Sequence, residues 1–251
     1  MNIDLTGRIA LITGASRGLG EAMAVALAAA GASIALVARD DARLQKVKAT
    51  IVAAGGKAAT FVADVTCEPE VAALSTAVRE ALGPVDILIN NAGTNIRKKL
   101  LDFSLEEFRS VIDSSLISTF LMSRAFLPHM QGRGYGRILN MTSILSHVSL
   151  PERTAYSSAK AALLGFTRAL ALEVAGEGIT VNGISPGPFG TDMNGAVINN
   201  PEANRQFLAS LPVGRWGKVE EIGALACYLC SEAAGFITGT DILIDGGWTA
   251  K

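Results

Sequence analysis

The segment LITGASRGLGEAMAVALAAAG, residues 11–31, decides the fold. A short apolar run is followed by a glycine-rich loop and then by an alanine-rich stretch with helical character. Gly14, Gly18 and Gly20 let the turn tighten and let the backbone approach a pyrophosphate group, which would rest on the N-terminus of the helix. Small residues also suit ordinary packing of a strand against a helix. Because the loop follows the first strand of an alternating chain, the pattern favours nucleotide binding.

Strand and helix patterns alternate along the whole chain. The clearest helix has a capping box of Ser104 and Glu107 at its start and extends to about His129. Seven short, mostly apolar runs are strand candidates: RIALIT, ASIALVA, KAATFVA, VDILIN, GRILNMT, GITVNGI and DILID. Such alternation predicts an α/β fold with a doubly wound parallel sheet in three layers, α/β/α.

The chain shows no linker composition and no internal repeat, so we expect a single domain over residues 1–251. Its longest irregular stretch begins at SPGPFGTDMNGAVINN. A long loop of this kind is a candidate lid over a ligand, here about residues 185–212.

Composition indicates a compact globular protein. Of the 251 residues, 49% are hydrophobic and 18% charged, and the net charge of −1 argues against nucleic acid as a partner. The longest uncharged stretch, residues 22–38, is shorter than the roughly 20 strongly apolar residues that a bilayer requires, and the N-terminus lacks a signal-peptide pattern. We therefore expect no membrane partner and a cytoplasmic location.

Cys227 and Cys230 form a lone CxxC pattern. A zinc site would need a second pair or nearby histidines, and the chain has only His129 and His147. The two cysteines are better explained as part of an apolar helix face, so we expect no metal site.

Several motifs follow one another in a fixed order: TGASRGLG, NNAG at 90–93, a serine at 143, YSSAK, and SPGPFGTDM. In order and spacing they resemble the short-chain dehydrogenase/reductase family, and the match extends to the closing ITGTDILIDGGW. The resemblance implies a Rossmann-type sheet of seven strands, a nicotinamide cofactor and usually a homotetramer.

The resemblance also implies a set of cofactor contacts. They are Gly14, Ser16, Arg17, Gly18, Leu19 and Gly20 at the pyrophosphate and ribose; Asp64 and Val65 at the adenine; Asn91, Ala92 and Gly93 beside the cofactor; and Pro186, Gly187, Phe189 and Thr191 over the nicotinamide. Asp64 and Asn91 follow apolar runs, so both are expected at carboxyl ends of strands, where open α/β sheets bind ligands. Either residue could instead cap a turn.

Tyr156 and Lys160 stand four positions apart, so on a helix they share one face. A hydride added to a carbonyl leaves an alkoxide that needs a proton, and a nearby ammonium lowers the pKa of a phenol that supplies it. Ser143 can hydrogen-bond the carbonyl oxygen. By resemblance these three are the catalytic serine, tyrosine and lysine, and Tyr156 and Lys160 are also expected to contact the cofactor. An isolated tyrosine and lysine would be surface residues, but the glycine loop and NNAG favour catalysis.

Ser115 departs from the family pattern. The family usually carries a fourth catalytic residue, an asparagine, at this position in the fourth helix. A serine is shorter and can bond back to the carbonyl four residues earlier. We predict that Ser115 keeps the proton relay through an additional water molecule.

The second strand ends in Arg39, where folds that prefer NAD place an acid. Arg17 in the glycine loop lies opposite, and two guanidinium groups suit a 2′-phosphate. The expected cofactor is therefore NADP, with NAD as the alternative if Arg39 is only a solvated residue and Asp40 binds the ribose.

Arg97 follows the NNAG motif and could receive an anionic substrate together with Arg153, whereas the adjacent Lys98 and Lys99 read equally well as solvated charges. The segments NNAGTNIRKKLLDF and DGGWTA are most similar to the gluconate 5-dehydrogenase type, which acts on sugar acids. The expected function is hydride transfer between the cofactor and a small-molecule carbonyl or secondary alcohol. One alternative is a 3-oxoacyl-acyl-carrier-protein reductase. Another, of a different class, is a protein that binds the cofactor without catalysis because of Ser115.

Overall fold

A computed structural model describes residues 3–191 and 194–250. In the described chain, seven parallel strands form one sheet in the order β3-β2-β1-β4-β5-β6-β7. The strands are β1 (Ile9–Thr13), β2 (Ser33–Ala38), β3 (Lys57–Val62), β4 (Ile87–Asn90), β5 (Gly136–Met141), β6 (Ile179–Pro186) and β7 (Asp241–Ile244). All seven strand predictions and the doubly wound parallel sheet are confirmed.

Helices cover both faces of the sheet. They are α1 (Gly18–Ala29), α2 (Asp41–Ala53), α3 (Glu68–Ala81), α4 (Leu105–Ile112), α5 (Ser118–Phe126), α6 (Thr154–Val174), α7 (Gly195–Ile198), α8 (Pro201–Ala209) and α9 (Val219–Cys230). A large apolar core forms on each side of the sheet, one including residues of α1, α2 and α9 and the other including residues of α3, α5 and α6.

The central strands β1 and β4 are mostly apolar because both of their faces are covered. Leu11 packs into one core and Ile12 into the other, and neither is exposed. Burying such a side chain contributes about 1.5–3 kcal/mol. β1 pairs with β2 on one side and with β4 on the other, so the strand order reverses there. The crevice at the carboxyl ends of β1 and β4 is the place where sheets of this kind bind ligands.

The capping box predicted at Ser104 is confirmed. The Ser104 hydroxyl accepts from the Glu107 amide at 3.1 Å, and the Glu107 carboxylate accepts from the Ser104 amide at 2.9 Å. The chain stays helical to His129, as predicted, but it is not a regular α-helix. Residues Asp113–Ile117 form a π-helical turn between α4 and α5, and Leu127–His129 form a 3-10 turn.

The stretch predicted to be an irregular lid is partly helical, because it contains α7 and α8. Asn200 caps α8 by accepting from the Ala203 amide at 3.1 Å, and Pro201 occupies its first position. Phe207 of α8 stacks on Trp216 with ring centres 4.6 Å apart, which holds this helix against the chain that follows. Residues 192–193, also within the expected lid, lie outside the described residues.

Cys227 and Cys230 are buried on α9, on the apolar face expected for them. Burial raises the pKa of Cys227 to about 11 and raises the pKa of Cys230 further. Within residues 3–191 and 194–250, no three or more His, Cys, Asp or Glu side chains are grouped so that they could hold a metal ion. Over the same residues, no helix is both long and apolar enough to pass through a bilayer.

Candidate active site

The glycine loop joins β1 to α1 at the crevice. Gly14 and Gly18 have φ angles of 62° and 61°, in the left-handed region that side chains disfavour. A Cβ atom on Gly20 would lie 2.3 Å from the carbonyl oxygen of Gly14, so no larger residue fits there. The loop leads directly into the N-terminus of α1, and a helix N-terminus suits a pyrophosphate.

Asn91 ties the end of β4 to this loop. Its side-chain Nδ2 donates to the carbonyl oxygens of Thr13 at 2.9 Å and Gly14 at 3.2 Å. The Thr13 hydroxyl in turn accepts from the amides of Asn91 at 2.9 Å and Ala92 at 3.0 Å. Sequence reasoning did not single out Thr13, although a threonine ending the first strand before the glycine loop is visible in the sequence. The Asn91 side chain therefore holds the loop, and the backbone of Ala92 and Gly93 borders the crevice.

The carboxyl ends of β2 and β3 carry Arg39 and Asp64. Arg39 is exposed and lies 3.6 Å from the Asp64 carboxylate. Hydrogen bonds from Thr66 hold the pKa of Asp64 below its ordinary value, and Arg39 adds to this effect. Val65 beside it is buried. Asp40 is used as the N-cap of α2, where it accepts from the Arg43 amide at 3.1 Å. Arg17, which precedes α1, is also exposed.

The segment after β6 passes over the glycine loop. The Thr191 methyl group lies 3.8 Å from the place of a Cβ atom on Gly18. Phe189 points inward and is 4% exposed, packing against Gly217, so only its backbone is available to a ligand. A Cβ atom on Gly187, the residue after Pro186, would lie 2.6 Å from the Asp245 backbone.

Ser143, Tyr156 and Lys160 come together at the carboxyl end of β5. The Ser143 hydroxyl accepts from the Leu145 amide at 3.1 Å, which leaves its own hydrogen free for another acceptor. Tyr156 and Lys160 share one face of α6, and Lys160 Nζ lies 5.7 Å from the centre of the Tyr156 ring. Lys160 Nζ donates to the carbonyl oxygen of Met141 at 2.5 Å.

The pKa shift of Tyr156 is opposite to the one expected from the sequence. Burial lowers the pKa of Lys160 to about 8. Burial also raises the pKa of Tyr156, and the Ser143 hydroxyl and the Arg153 charge only oppose this effect. The predicted lowering of the tyrosine pKa is therefore wrong for the protein alone. Desolvation of the phenol outweighs the effects of Ser143 and Arg153, and Lys160 Nζ donates to a backbone carbonyl rather than to the phenol oxygen.

Ser115 lies in the π-helical turn, behind Lys160. A Cβ atom on Gly93 would lie 3.3 Å from the Ser115 hydroxyl and 3.7 Å from Lys160 Nζ, so both groups border the space that the missing side chain leaves. The buried hydroxyl has no hydrogen-bonding partner among the described residues. The back-bond considered for Ser115 is not formed, and it is Ser114 that donates to the carbonyl oxygen of Val111, at 3.2 Å. Ser115 thus keeps a free hydroxyl next to the site.

Arg153 lies close enough to Tyr156 and to Arg97 to interact with both electrostatically. Burial lowers the pKa of Arg153, and the charge of Arg97 lowers it further, whereas Tyr156 acts in the opposite direction. Lys98 is occupied in an ion pair with Glu107. Two neighbouring cations, one of them close to Tyr156, form a potential site for an anionic group.

Known proteins resemble this chain over nearly its full length. A profile of the family described as "Enoyl-(Acyl carrier protein) reductase" matches residues 14–249. Gluconate 5-dehydrogenase of Gluconobacter oxydans is 36% identical over 248 residues, which are 99% of this chain and 97% of that protein. The 3-oxoacyl-[acyl-carrier-protein] reductase of Pseudomonas aeruginosa is 37% identical over 246 residues, 98% of each chain.

Solved structures agree with the sequence relatives. Gluconate 5-dehydrogenase from Burkholderia cenocepacia J2315, in complex with NADP and tartrate, has a TM-score of 0.94 and 33% identity, covering 100% of this chain and 98% of that one. The sheet order, the glycine loop and the relatives agree, and the chain therefore belongs to the short-chain dehydrogenase/reductase family of oxidoreductases.

Proposed function

We propose that this protein is an NADP-preferring dehydrogenase or reductase that interconverts a carbonyl group and a secondary alcohol, with a sugar acid as its substrate class. The observation that carries the proposal is the convergence of three groups at the carboxyl end of β5: the hydroxyl of Ser143, the partly buried phenol of Tyr156 and the ammonium of Lys160. These groups supply a hydrogen-bond donor, a proton and a charge at one point of the crevice.

In the direction of reduction, each group has a separate task. A nicotinamide cofactor, when bound, supplies the hydride that adds to the carbonyl carbon. Ser143 donates a hydrogen bond to the carbonyl oxygen, and Tyr156 gives its proton to that oxygen as it becomes an alcohol. Lys160 stabilises the resulting phenolate by its charge. Reprotonation of Tyr156 from solvent, with Ser115 in the relay, closes the cycle, and oxidation runs through the same groups in reverse.

The cofactor residues fit a dinucleotide with a 2′-phosphate. The glycine loop, with Gly14, Ser16, Arg17, Gly18, Leu19 and Gly20, would hold the pyrophosphate, as the missing Cβ at Gly20 supports. Arg17 and Arg39 are exposed, and Asp40, the acid that could bind a ribose hydroxyl, is already the cap of α2. The Burkholderia relative has NADP bound. Asp64, Val65, Asn91, Ala92, Gly93, Pro186, Gly187, Phe189 and Thr191 would complete the cofactor site.

The substrate class rests on Arg97 and Arg153. Their charges lie close to each other, that of Arg153 also close to Tyr156, and together could bind the carboxylate of a sugar acid. One relative over nearly the whole chain is a gluconate 5-dehydrogenase. A 3-oxoacyl-acyl-carrier-protein reductase is a second candidate, because a relative of that name is as similar to the chain.

We also propose a cytoplasmic homotetramer with a single domain, in which the segment of about 185–212 acts as a lid. Support for an oligomer comes from large apolar side chains that are almost fully exposed, namely Leu101, Leu172 and Phe236. Light scattering of the purified chain would measure the assembly.

The function is tested by purified protein with NADPH or NADP and a panel of sugar acids, simple ketones and acyl thioesters, with nicotinamide absorbance as the readout. We expect turnover of a sugar acid that is lost in Tyr156→Phe. Preferred turnover of acyl thioesters would favour the second candidate. Tight NADP binding without turnover of any compound would show a cofactor-binding protein that does not catalyse.

A further inference from the structure

The carboxylate of Asp241 lies behind Ser143, outside the catalytic trio. Asp241 is the first residue of β7, and its side chain is 7% exposed. It contacts three polar groups from separate parts of the chain: the Thr142 hydroxyl at 2.5 Å, the Ser185 hydroxyl at 2.6 Å and His147 Nε2 at 2.7 Å. Three polar contacts to one buried carboxylate form an organised network rather than a single ion pair.

The network depends on Gly183 of β6, the strand between β5 and β7, because this residue has no side chain. Asp241 is paired with Gly183 of β6, and a Cβ atom on Gly183 would lie 2.0 Å from Asp241 Oδ1 and 3.2 Å from the Thr142 methyl group. The missing side chain lets the carboxylate reach across β6 to Thr142, which follows β5. The last three strands are thereby connected at the height of the active site.

Three hydrogens serve the network, from the hydroxyls of Thr142 and Ser185, which lie 2.9 Å apart, and from His147 Nε2. An ionised Asp241 only accepts, so Thr142 donates to Oδ1 and His147 Nε2 carries a hydrogen toward Oδ2. The Ser185 hydroxyl has one hydrogen and also lies 2.8 Å from the carbonyl oxygen of Ser143. A hydroxyl oxygen and a carboxylate oxygen 2.6 Å apart would repel each other without a hydrogen between them, so the Ser185 hydrogen is shared between Asp241 Oδ2 and the Ser143 carbonyl oxygen.

The bond from Ser185 fixes the peptide group that carries the catalytic hydroxyl. The Ser143 carbonyl oxygen also accepts from the Ser146 amide at 2.8 Å, so two donors orient it. The direction of the Ser143 side chain follows from this backbone. A hydroxyl that must meet a carbonyl oxygen in one geometry gains from such support.

We propose that Asp241 and His147 are positioning residues that orient Ser143 through Ser185, an inference that rests on the proposed function. Neither residue touches the reacting atoms. His147 is partly exposed and begins the segment that leads to Arg153 and Tyr156, so the network joins the rim of the crevice to its catalytic serine.

A double-mutant cycle tests the proposal. Asp241→Asn should lower kcat about tenfold or more while leaving the Michaelis constants for substrate and NADPH within about twofold. In a Ser143→Ala background, Asp241→Asn should change kcat by less than about twofold, because the hydroxyl that Asp241 orients is absent. Ser185→Ala, which removes the link itself, should lower kcat at least as much as Asp241→Asn, and His147→Ala should lower it to a smaller degree. Equal losses in both backgrounds, or a rise in the Michaelis constants alone, would overturn the proposal.

Amide hydrogen exchange gives a measure that does not need activity. Asp241→Asn should speed exchange in a peptide covering residues 143–148, where the Leu145 and Ser146 amides bond to Ser143. Unchanged exchange there would contradict the proposal, whether or not the protein turns over a substrate. If wild type shows no turnover, the proposed function fails, and exchange alone decides the positioning role.

Asp86→Asn is the matched control. Asp86 is an equally buried acid that bonds the Ile9 amide and pairs with Arg133, but it precedes β4 at the opposite end of the sheet. Its replacement should lower the melting temperature without altering kcat by more than about twofold or changing exchange at residues 143–148. A selective loss of kcat in this control would mean that any buried acid has the same effect, and the proposal would fall.

Discussion

Arg39 Nη1 lies 3.6 Å from Asp64 Oδ2, so the carboxyl ends of β2 and β3 are joined by an exposed ion pair at the edge of the cofactor crevice. Because the pair is exposed, it contributes little stability and can open to a stronger partner. A phosphate with two negative charges is such a partner for a guanidinium group.

Cofactor preference should therefore depend on Arg39. Arg39→Asp places a second carboxylate next to Asp64, which repels a 2′-phosphate and offers an acceptor to a ribose hydroxyl. We expect kcat/KM with NADP to fall about a hundredfold and the preference to shift toward NAD. The measurement compares both cofactors in wild type and variant. Wild type that uses NAD as well as or better than NADP would contradict the prediction.

Activity should fall as pH rises through about 8. Lys160 has its pKa lowered to about 8, so its charge is present below this pH and is lost above it. The profile to measure is kcat/KM for NADPH, which reports groups of the free enzyme. Lys160→Arg should have a lower kcat/KM than wild type, but this value should not fall near pH 8, since a guanidinium group stays charged. If kcat/KM of this variant still falls near pH 8, the fall is caused by the titration of another group.

Arg97 should distinguish charged from neutral substrates. Arg97→Ala removes the cation that neighbours Arg153, and we expect the Michaelis constant for carboxylate substrates to rise about tenfold, with neutral ketones unaffected. Lys98→Ala is the control, because Lys98 is already paired with Glu107. If the Michaelis constants of all carboxylate substrates stay unchanged in Arg97→Ala, Arg97 is a solvated surface residue that does not bind the substrate.

Ser115→Asn should increase turnover. The free hydroxyl of Ser115 stands behind Gly93 and Lys160, and a longer amide would shorten the proton route that water must span. We expect kcat to rise about tenfold with NADP affinity unchanged. Ser114→Asn, at the neighbouring position whose hydroxyl is bound to Val111, should give no gain. Lower turnover in Ser115→Asn than in wild type would show that the serine is the better residue here.

The strands could be predicted because each is a short apolar run between turn-forming residues. The capping box at Ser104 could also be predicted, because its second residue, Glu107, stands three positions later in the sequence. The spacing of Tyr156 and Lys160 on one helix face also follows from local geometry alone.

Other features depend on contacts between distant parts of the chain. The π-helical turn around Ser115 and the helices within the expected lid have no clear periodic signal. The raised pKa of Tyr156 follows from how deeply the ring is buried, which a motif does not specify. The reach of Asp241 across Gly183 needs the register of β6 and β7, which only the folded sheet supplies.

The burial of Lys160 also makes the folded state less stable than it would be with an apolar residue there. A pKa lowered from 10.5 to about 8 corresponds to about 3 kcal/mol of unfolding free energy near neutral pH, and stability rises between these two pH values because the unfolded chain holds the extra proton. A chain under no selection for turnover would gain stability by replacing this lysine. Its presence in the core therefore argues that the protein is maintained as a working enzyme.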